Sequence, residues 1–581
     1  MGSRWIPRIP ANTAGVPGPP GPPGDDRFAP KYLVGNIPNG DTAPALASLG
    51  FFYFPDPGDG SGLAAALAAA TISRGDIWLR PGLFDLGAGA VVTPLAIPPG
   101  ITVKGSGSTT IVRSKASGDQ GVFRIDGSLP TGKFSTLRDM RVESVAEVAG
   151  GVSTALIRCT DPATIEDVEV ILVASAEGSL RDAIQFESST GSPLPPSRLS
   201  NVRIALTRPA QASPVRALVG LPNAVVFGEQ VEIFDGSGAA NGFDVGIDAT
   251  SASFIIQSFL AFGFSDAAVR SVGGGSIRID EAYTISSPSA APTAIGFDLS
   301  GGGHVLRSIL MVTQGVLAAT GIKLSGGGVN AVEIDDVQIY GFAVCIDAGG
   351  GGSDANDVSI VNSTLNAPSI GIRIAGVGSS ACHIKGNTIQ IFTDPGAPQI
   401  AGIHLAAGSG QHVEGNHVNV QGDPQILAPG VYGLWVQAQL STIANNNVIA
   451  NYVGYGIEVD AERVVTNGNV VQCAEGPGCI HVAPPGISGP RVRNITNNNS
   501  CTFNTTLVPG PLPAAIVYEG QSGTINGNAI FMGTPVPPAA GIVLTAVSTG
   551  SVCNGNVSDG SSGLPVVNLG AGNDVAHNIG N

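Results

Sequence analysis

An all-β solenoid is the fold class that three features of this 581-residue sequence predict: a repeated asparagine, strand-period alternation between the repeats, and glycine-rich turns. The asparagines are Asn387, Asn416, Asn446, Asn469, Asn498, Asn528, Asn556 and Asn578, spaced 22 to 30 residues apart, and five follow a glycine directly. The same frame continues upstream with mostly apolar residues at positions 140, 168, 202, 231, 259, 282, 309, 337 and 363, as in Leu137-Arg-Asp-Met-Arg-Val142 and Ile334-Asp-Asp-Val-Gln-Ile339. Nine upstream positions and eight asparagines make seventeen units.

Within a unit, apolar residues recur at alternate places, for example Ile370, Ile372 and Ile374, and β-branched types dominate, so the units are built of short strands. Clusters such as Gly301-Gly-Gly303 and Asp394-Pro-Gly396 mark the turns. The period is too short for propeller blades and the pattern lacks a leucine-rich consensus. Three strands per coil, with coils ~4.8 Å apart, satisfy both period and alternation, which gives a parallel β-helix. Asparagine tolerates left-handed backbone, and its amide can pair with those in the coils above and below. The eight asparagines are therefore read as a structural ladder.

Residues 59–112 carry a resemblance to a known family. Asp59-Gly-Ser-Gly-Leu-Ala-Ala-Ala-Leu-Ala-Ala-Ala-Thr-Ile72, Asp76-Ile-Trp-Leu-Arg-Pro-Gly-Leu-Phe-Asp-Leu86 and Ile97-Pro-Pro-Gly-Ile-Thr-Val-Lys-Gly-Ser-Gly107 resemble the start of pectate-lyase-like right-handed parallel β-helix proteins. The resemblance implies a capping helix laid over the first coil, followed by coils over 113–581. The residues agree: Asp59 or Ser61 can cap the helix, Leu63 and Leu67 share one face, and Arg74-Gly75 stops it. A helix there covers an exposed sheet edge.

Composition narrows the partners. Twenty-eight Lys+Arg against 44 Asp+Glu give a net charge of −16, without the clustered basic residues that nucleic acid requires. Met1-Gly-Ser-Arg-Trp-Ile6 lacks the apolar core of a signal peptide, and no apolar run reaches 18 residues, so cytoplasmic synthesis without membrane insertion is expected. Seven cysteines, an odd number, point to free buried thiols, with a Cys473–Cys479 loop as the alternative. The scattered histidines give no metal site, and no cofactor is expected.

The N-terminus has its own pattern. Gly15, Gly18, Gly21 and Gly24 head four Gly-X-Y triplets over 15–26, the spacing that lets three polyproline chains meet on one axis; a stiff Pro-rich linker is the alternative. Residues 1–14, with Trp5, Ile6 and Ile9, read as an extended anchoring peptide, and 27–58 as a linker or neck. An anchoring peptide, a trimer-specifying collar and a β-helical rod together resemble a bacteriophage tailspike or tail fibre. That resemblance implies a homotrimeric virion tail protein, attached through residues 1–30 to a tail-tip or baseplate protein and touching host surface polysaccharide. The coil pattern reaches Asn578, so the last coils or a partner protein are expected to form the distal tip.

Whether such a rod also cuts glycan depends on carboxylates. The polygalacturonase-type signatures do not occur as a set, and only Asp335-Asp336 is similar to one of them. Asp280 and Glu281 precede one anchor and Asp335 and Asp336 precede another two coils on, about 9–10 Å away by coil spacing, near the outer limit for a hydrolytic pair. Their alternative role is as solvated turn residues. Trp435, Tyr452 and Tyr455 form a candidate sugar-stacking patch, with core or subunit packing as the alternative. A non-enzymatic spike is the leading expectation and a polysaccharide hydrolase or lyase the second.

Overall fold

The computed structural model describes residues 32–35, 51–73, 75–114, 121–126, 134–145, 155–160, 162–173, 181–188, 195–207, 215–235, 243–287, 293–314, 319–326, 328–350, 352–392, 399–422, 430–451, 454–483, 493–504, 513–533, 540–560 and 565–580. Gly15, Gly18, Gly21, Gly24 and Tyr452 lie outside them.

Three parallel sheets wind around one core. In a representative coil His383–Lys385 belongs to the first sheet, Thr388–Phe392 to the second and Ile400–Leu405 to the third. Each pairs with its equivalent in the next coil, His412–Glu414, His417–Gln421 and Val431–Val436. Upstream, the first and second sheets run as one bent strand, as in Ser135–Glu143 and Ala163–Val173. Inward side chains stack on their equivalents, so the buried apolar residues form one continuous cluster from Tyr32 to Val566. Stacked strands satisfy one another's backbone groups along the whole rod.

The bend between the first two sheets is made by a residue in the left-handed region: Asp139, Asp167, Asn201, Asp336, Asn362, Asn445 and Asn498 have φ between 50° and 56°. Gly386, Gly415, Gly468, Gly527 and Gly555 hold the same place in other coils. The residue after the bend points inward. Positions 140, 168, 202, 231, 259, 282, 309 and 337 are one column in the strand register, as expected. The column continues by hydrogen bonds, because the Val337 amide donates to Ser363 Oγ and the Ser363 amide to Asn387 Oδ1.

Below Asn387 the column is an amide ladder with one correction to the sequence reading. The Asn469 amide and Nδ2 both donate to Asn499 Oδ1, at 3.0 and 2.9 Å, and Asn499 in turn donates to Asn528. Asn498 is not a rung. It occupies the exposed bend, φ 53°, and reaches sideways to Asn467 Oδ1. In the run Asn497-Asn498-Asn499 the bend takes the residue that a glycine fills elsewhere, and the buried place falls one residue later. Each interior rung accepts two hydrogen bonds at Oδ1 and donates two from Nδ2, one to a backbone carbonyl such as Ile443 O or Thr466 O. No polar atom of the side chain is left over.

The helix α1, Ser61–Ser73, covers the first coil with Leu63, Ala66, Leu67 and Ala70 buried. Asp59 Oδ1 accepts from the Ser61 amide, as a cap should. A second carboxylate, missed in the sequence, does more: buried Asp56 accepts from the amides of Gly58, Gly60 and Leu63. The neck expected over 27–58 also contains structure. Tyr32–Gly35 and Phe52–Pro55 are parallel strands, the former also paired with Ile77–Leu79, because Tyr32 and Val34 bury their side chains in the core. No helix among the described residues is long and apolar enough to cross a membrane.

All seven cysteines are free and buried. Cys479 packs against Cys473 and Cys501 in the core, and burial pushes its thiol well up.

Candidate functional site

The carboxylates expected near the bend do not form an acid–base pair. Arg307 stands in register with Asp335 and one coil after Asp280, and its guanidinium binds Glu333 Oε1 at 2.8 Å within the field of both aspartates. Asp280 accepts from Arg278 Nε at 3.1 Å, and Asp335 accepts from Asn362 Nδ2 at 3.0 Å. Asp336 is a left-handed bend residue whose Oδ2 accepts from Ser308 Oγ, and Glu281 is an exposed neighbour of Ala282 in the column. Each serves the solvated surface or the turn.

A denser cluster occupies the outer face of the third sheet. Its strands share a short pattern, a small residue, an apolar residue, a variable residue and another apolar residue: Cys345-Ile-Asp347-Ala, Gly371-Ile-Arg373-Ile, Gly402-Ile-His404-Leu, Gly433-Leu-Trp435-Val, Gly456-Ile-Glu458-Val and Cys479-Ile-His481-Val. The variable residues register with one another as a single outward column. A small residue suits this place because its side chain would point inward, against the second sheet and the backbone of the next coil. A Cβ on Gly433 would lie 2.4 Å from Val448 Cγ1 and 2.5 Å from Gly456 O.

Along this column the side chains hold one another in pairs: Asp347 with Arg373, His404 with Trp435 and Glu458 with His481. Arg373 makes a bidentate contact with Asp347, Nε to Oδ1 at 2.8 Å and Nη2 to Oδ2 at 2.5 Å. His404 stacks face to face on Trp435, with centroids 4.2 Å apart and planes 3° apart. Its Nε2 meets Gln437 Oε1 at 3.1 Å, and Gln437 Nε2 donates to Asp460. Burial pushes the His404 imidazole below its usual range, so it is neutral, and its Nδ1 has no partner among the described residues. Tyr432 tilts against Trp435 at 5.1 Å, and Tyr455, its register partner, stacks on His481 at 4.5 Å.

Next to these rings lie the carboxylates. Glu458 follows Trp435 in the column, and both its oxygens are within 3.0 Å of His481 Nδ1. His481 Nε2 is 3.9 Å from Glu519. Burial raises the Glu458 carboxyl above its ordinary value despite the opposing pull of His481. A buried carboxyl whose proton affinity is raised is suited to general-acid chemistry. Trp435 and Tyr455 lie on adjacent strands of this face, but Trp435 gives one ring face to His404 and Tyr455 stacks on His481. The repeated small-apolar-variable-apolar pattern was the signal by which the sequence could have located this column.

A second buried polar set lies upstream on the same sheet. Arg216 binds Asp182 through Nε and Nη2 and Asp248 through Nη1, at 2.8, 3.0 and 2.9 Å. Two carboxylates share one guanidinium, and burial pushes Asp182 up to about 6. Among the described residues no group of three His, Cys, Asp or Glu side chains is placed to hold a metal ion.

Residues 320–488 match the family model described as the right handed beta helix region. No curated protein matches the chain. Among solved structures it is similar to the tailspike protein 3 of bacteriophage CBA120, with 12% identity over 90% of this chain and 58% of that one and a TM-score of 0.19. The chain thus spans under two thirds of that tailspike's length. It is also similar to DFA-IIIase from Arthrobacter chlorophenolicus A6 without its lid, with 13% identity over 79% of this chain and 100% of that one and a TM-score of 0.25. A third match is the A-module of the mannuronan C-5 epimerase AlgE6 from Azotobacter vinelandii, with 11% identity over 90% and 94% and a TM-score of 0.15. The family match and the stacked parallel register make the fold an all-β, right-handed parallel β-helix.

Proposed function

We propose that the protein is a trimeric β-helical spike or fibre of a bacteriophage tail, joined to a tail-tip or baseplate protein through residues 1–30 and touching host surface glycan with the rod. The observation that carries this reading is the glycine register at Gly15, Gly18, Gly21 and Gly24 ahead of a rigid solenoid. Four triplets are too few to hold a triple helix alone, so their use is to set three rods side by side, with the rods supplying the association energy. A three-fold rod tethered at one end presents its length to a surface, which is what an attachment organelle needs. Sedimentation of the full chain tests it: a mass of three chains is expected, and antibodies to the rod should label the tails of intact particles. A monomer, or particles without label, would refute the assignment.

A second reading, a polysaccharide depolymerase on the same scaffold, is favoured by the buried Glu458, its proton affinity raised, set against His481 and near Glu519 and Asp460. Incubation with host capsular polysaccharide should then release reducing ends or unsaturated uronates, and Glu458→Gln should abolish the release. Intact polysaccharide after prolonged incubation would leave the attachment role alone.

A further inference from the structure

The first and second sheets change character along the rod. Upstream, their strands are rich in ions: Ser135–Glu143 reads STLRDMRVE and Val329–Tyr340 reads VNAVEIDDVQIY. Among the described residues the last ion pair on these faces joins Lys385 to Glu414 at 3.4 Å. Beyond it, the ten strands from Thr442–Ala444 to Val557–Asp559 in these two sheets contain a single charged residue, Asp559. Their outward positions are apolar, amide and hydroxyl side chains instead, and several large apolar ones stand in the open: Val470 is 40% exposed, Phe531 53%, Val552 39% and Val557 44%.

In a chain of net charge −16 such a gap is a surface property with a cost, because it forgoes the repulsion that keeps acidic proteins apart. We infer that this uncharged face, the outer side of the first and second sheets from Thr442 to Val557, is where copies of the same chain pack against one another. The inference rests on the trimeric reading above. Its occupant follows from symmetry. Rods set parallel by a common collar meet around a three-fold axis at equal heights, so residues near the axis face their own equivalents. A charged residue there meets its like charge; Val465, Val470, Val552 or Phe531 meets an apolar partner. A different protein would instead be free to match charge with opposite charge, and the face has almost none to offer.

The test uses the full-length chain and the variants Val470→Glu and Phe531→Glu, each placing like charges at an axis position without touching the core. Val377→Glu, on a turn outside this face where Val377 is 88% exposed, is the control. Mass by light scattering over a dilution series is expected to show a trimer for the parent and for V377E, and at least a tenfold rise in the dissociation constant for V470E and F531E. Far-ultraviolet circular dichroism at matched concentration verifies that each variant is folded; a misfolded variant is replaced by Val470→Lys, which carries the same expectation. A parent that is monomeric defeats the trimeric reading itself. A parent trimer that V470E, F531E and V470K all leave intact overturns the interface alone, as does loss of glycan binding in those variants at unchanged mass.

Discussion

Two adjacent asparagines should differ sharply in what they hold together. Asn499 is fully buried, and Asn499→Ala removes the acceptor of the Asn469 backbone amide and of Asn469 Nδ2, together with the donor to Thr466 O. The amide hydrogen of Asn469 has no other place to bond and is sealed from water. Orphaning a buried backbone group costs about 1–3 kcal/mol. Two such groups and a weakened rung put the total at about 3–5 kcal/mol. Asn498→Gly, one residue away, removes one exposed hydrogen bond and supplies the residue that Gly468 and Gly527 already provide at that bend, so the change should stay within about 0.5 kcal/mol. Asn498→Ala should cost about 1 kcal/mol, because alanine pays for left-handed backbone. Because a solenoid can open locally, the measurement is native-state hydrogen exchange at the Asn469 amide together with the thermal midpoint. N499A costing under about 1 kcal/mol, or no more than N498G, would refute the ladder's register as described.

Gly433→Ala should destabilise by about 1–3 kcal/mol in a denaturant melt, because its Cβ would enter Val448 and the Gly456 carbonyl. Burial holds the folded-state value of Asp182 near 6, above its unfolded value, so the folded protein binds the extra proton: the contribution is complete below about pH 4 and is lost as pH rises through 6. Compared with Asp182→Asn, the parent's unfolding free energy should fall by up to about 3 kcal/mol across that window, and parallel curves would exclude it. The thiols of Cys382 and Cys553 are pushed up to about 11 and about 12, so a disulfide reagent at pH 8 should find no reactive thiol in the folded chain and seven in denaturant.

What the sequence made legible was the part of the fold set by one conspicuous residue at one kind of corner. Anchors at 140, 168, 202 and 337 appear in register because a left-handed bend residue and an inward residue come as a pair, as Asp-Met, Asp-Val or Asn-Val, and Gly-Asn continues it further on. Asn498 went astray because asparagine can fill either half of that pair, and three in succession offer no contrast. The outward column of the third sheet escaped notice for the opposite reason. Its members, Asp347, Arg373, His404, Trp435, Glu458 and His481, share a place but no chemistry, so only their invariant small and apolar neighbours betray it. Asp56 was overlooked because its cap reaches a helix five residues downstream through a folded-back loop, a contact no local motif contains.

The corner and the opposite connections divide the labour of the rod. From Lys385 to Ile579 exactly two residues separate every first-sheet strand from its second-sheet successor, whereas between second and third sheets the intervening stretch runs from three residues, 452–454, to nine, 505–513. From the third sheet back to the first it runs from five residues, 437–441, to twelve, 483–494, so the irregularity of the period is gathered at the two edges of the third sheet, and none reaches the amide column. Lengthening, shortening or rewriting either fringe leaves the scaffold's vertical stitching untouched. A lineage of such rods can renew what it shows to its surroundings along both borders of one sheet while inheriting an unaltered spine.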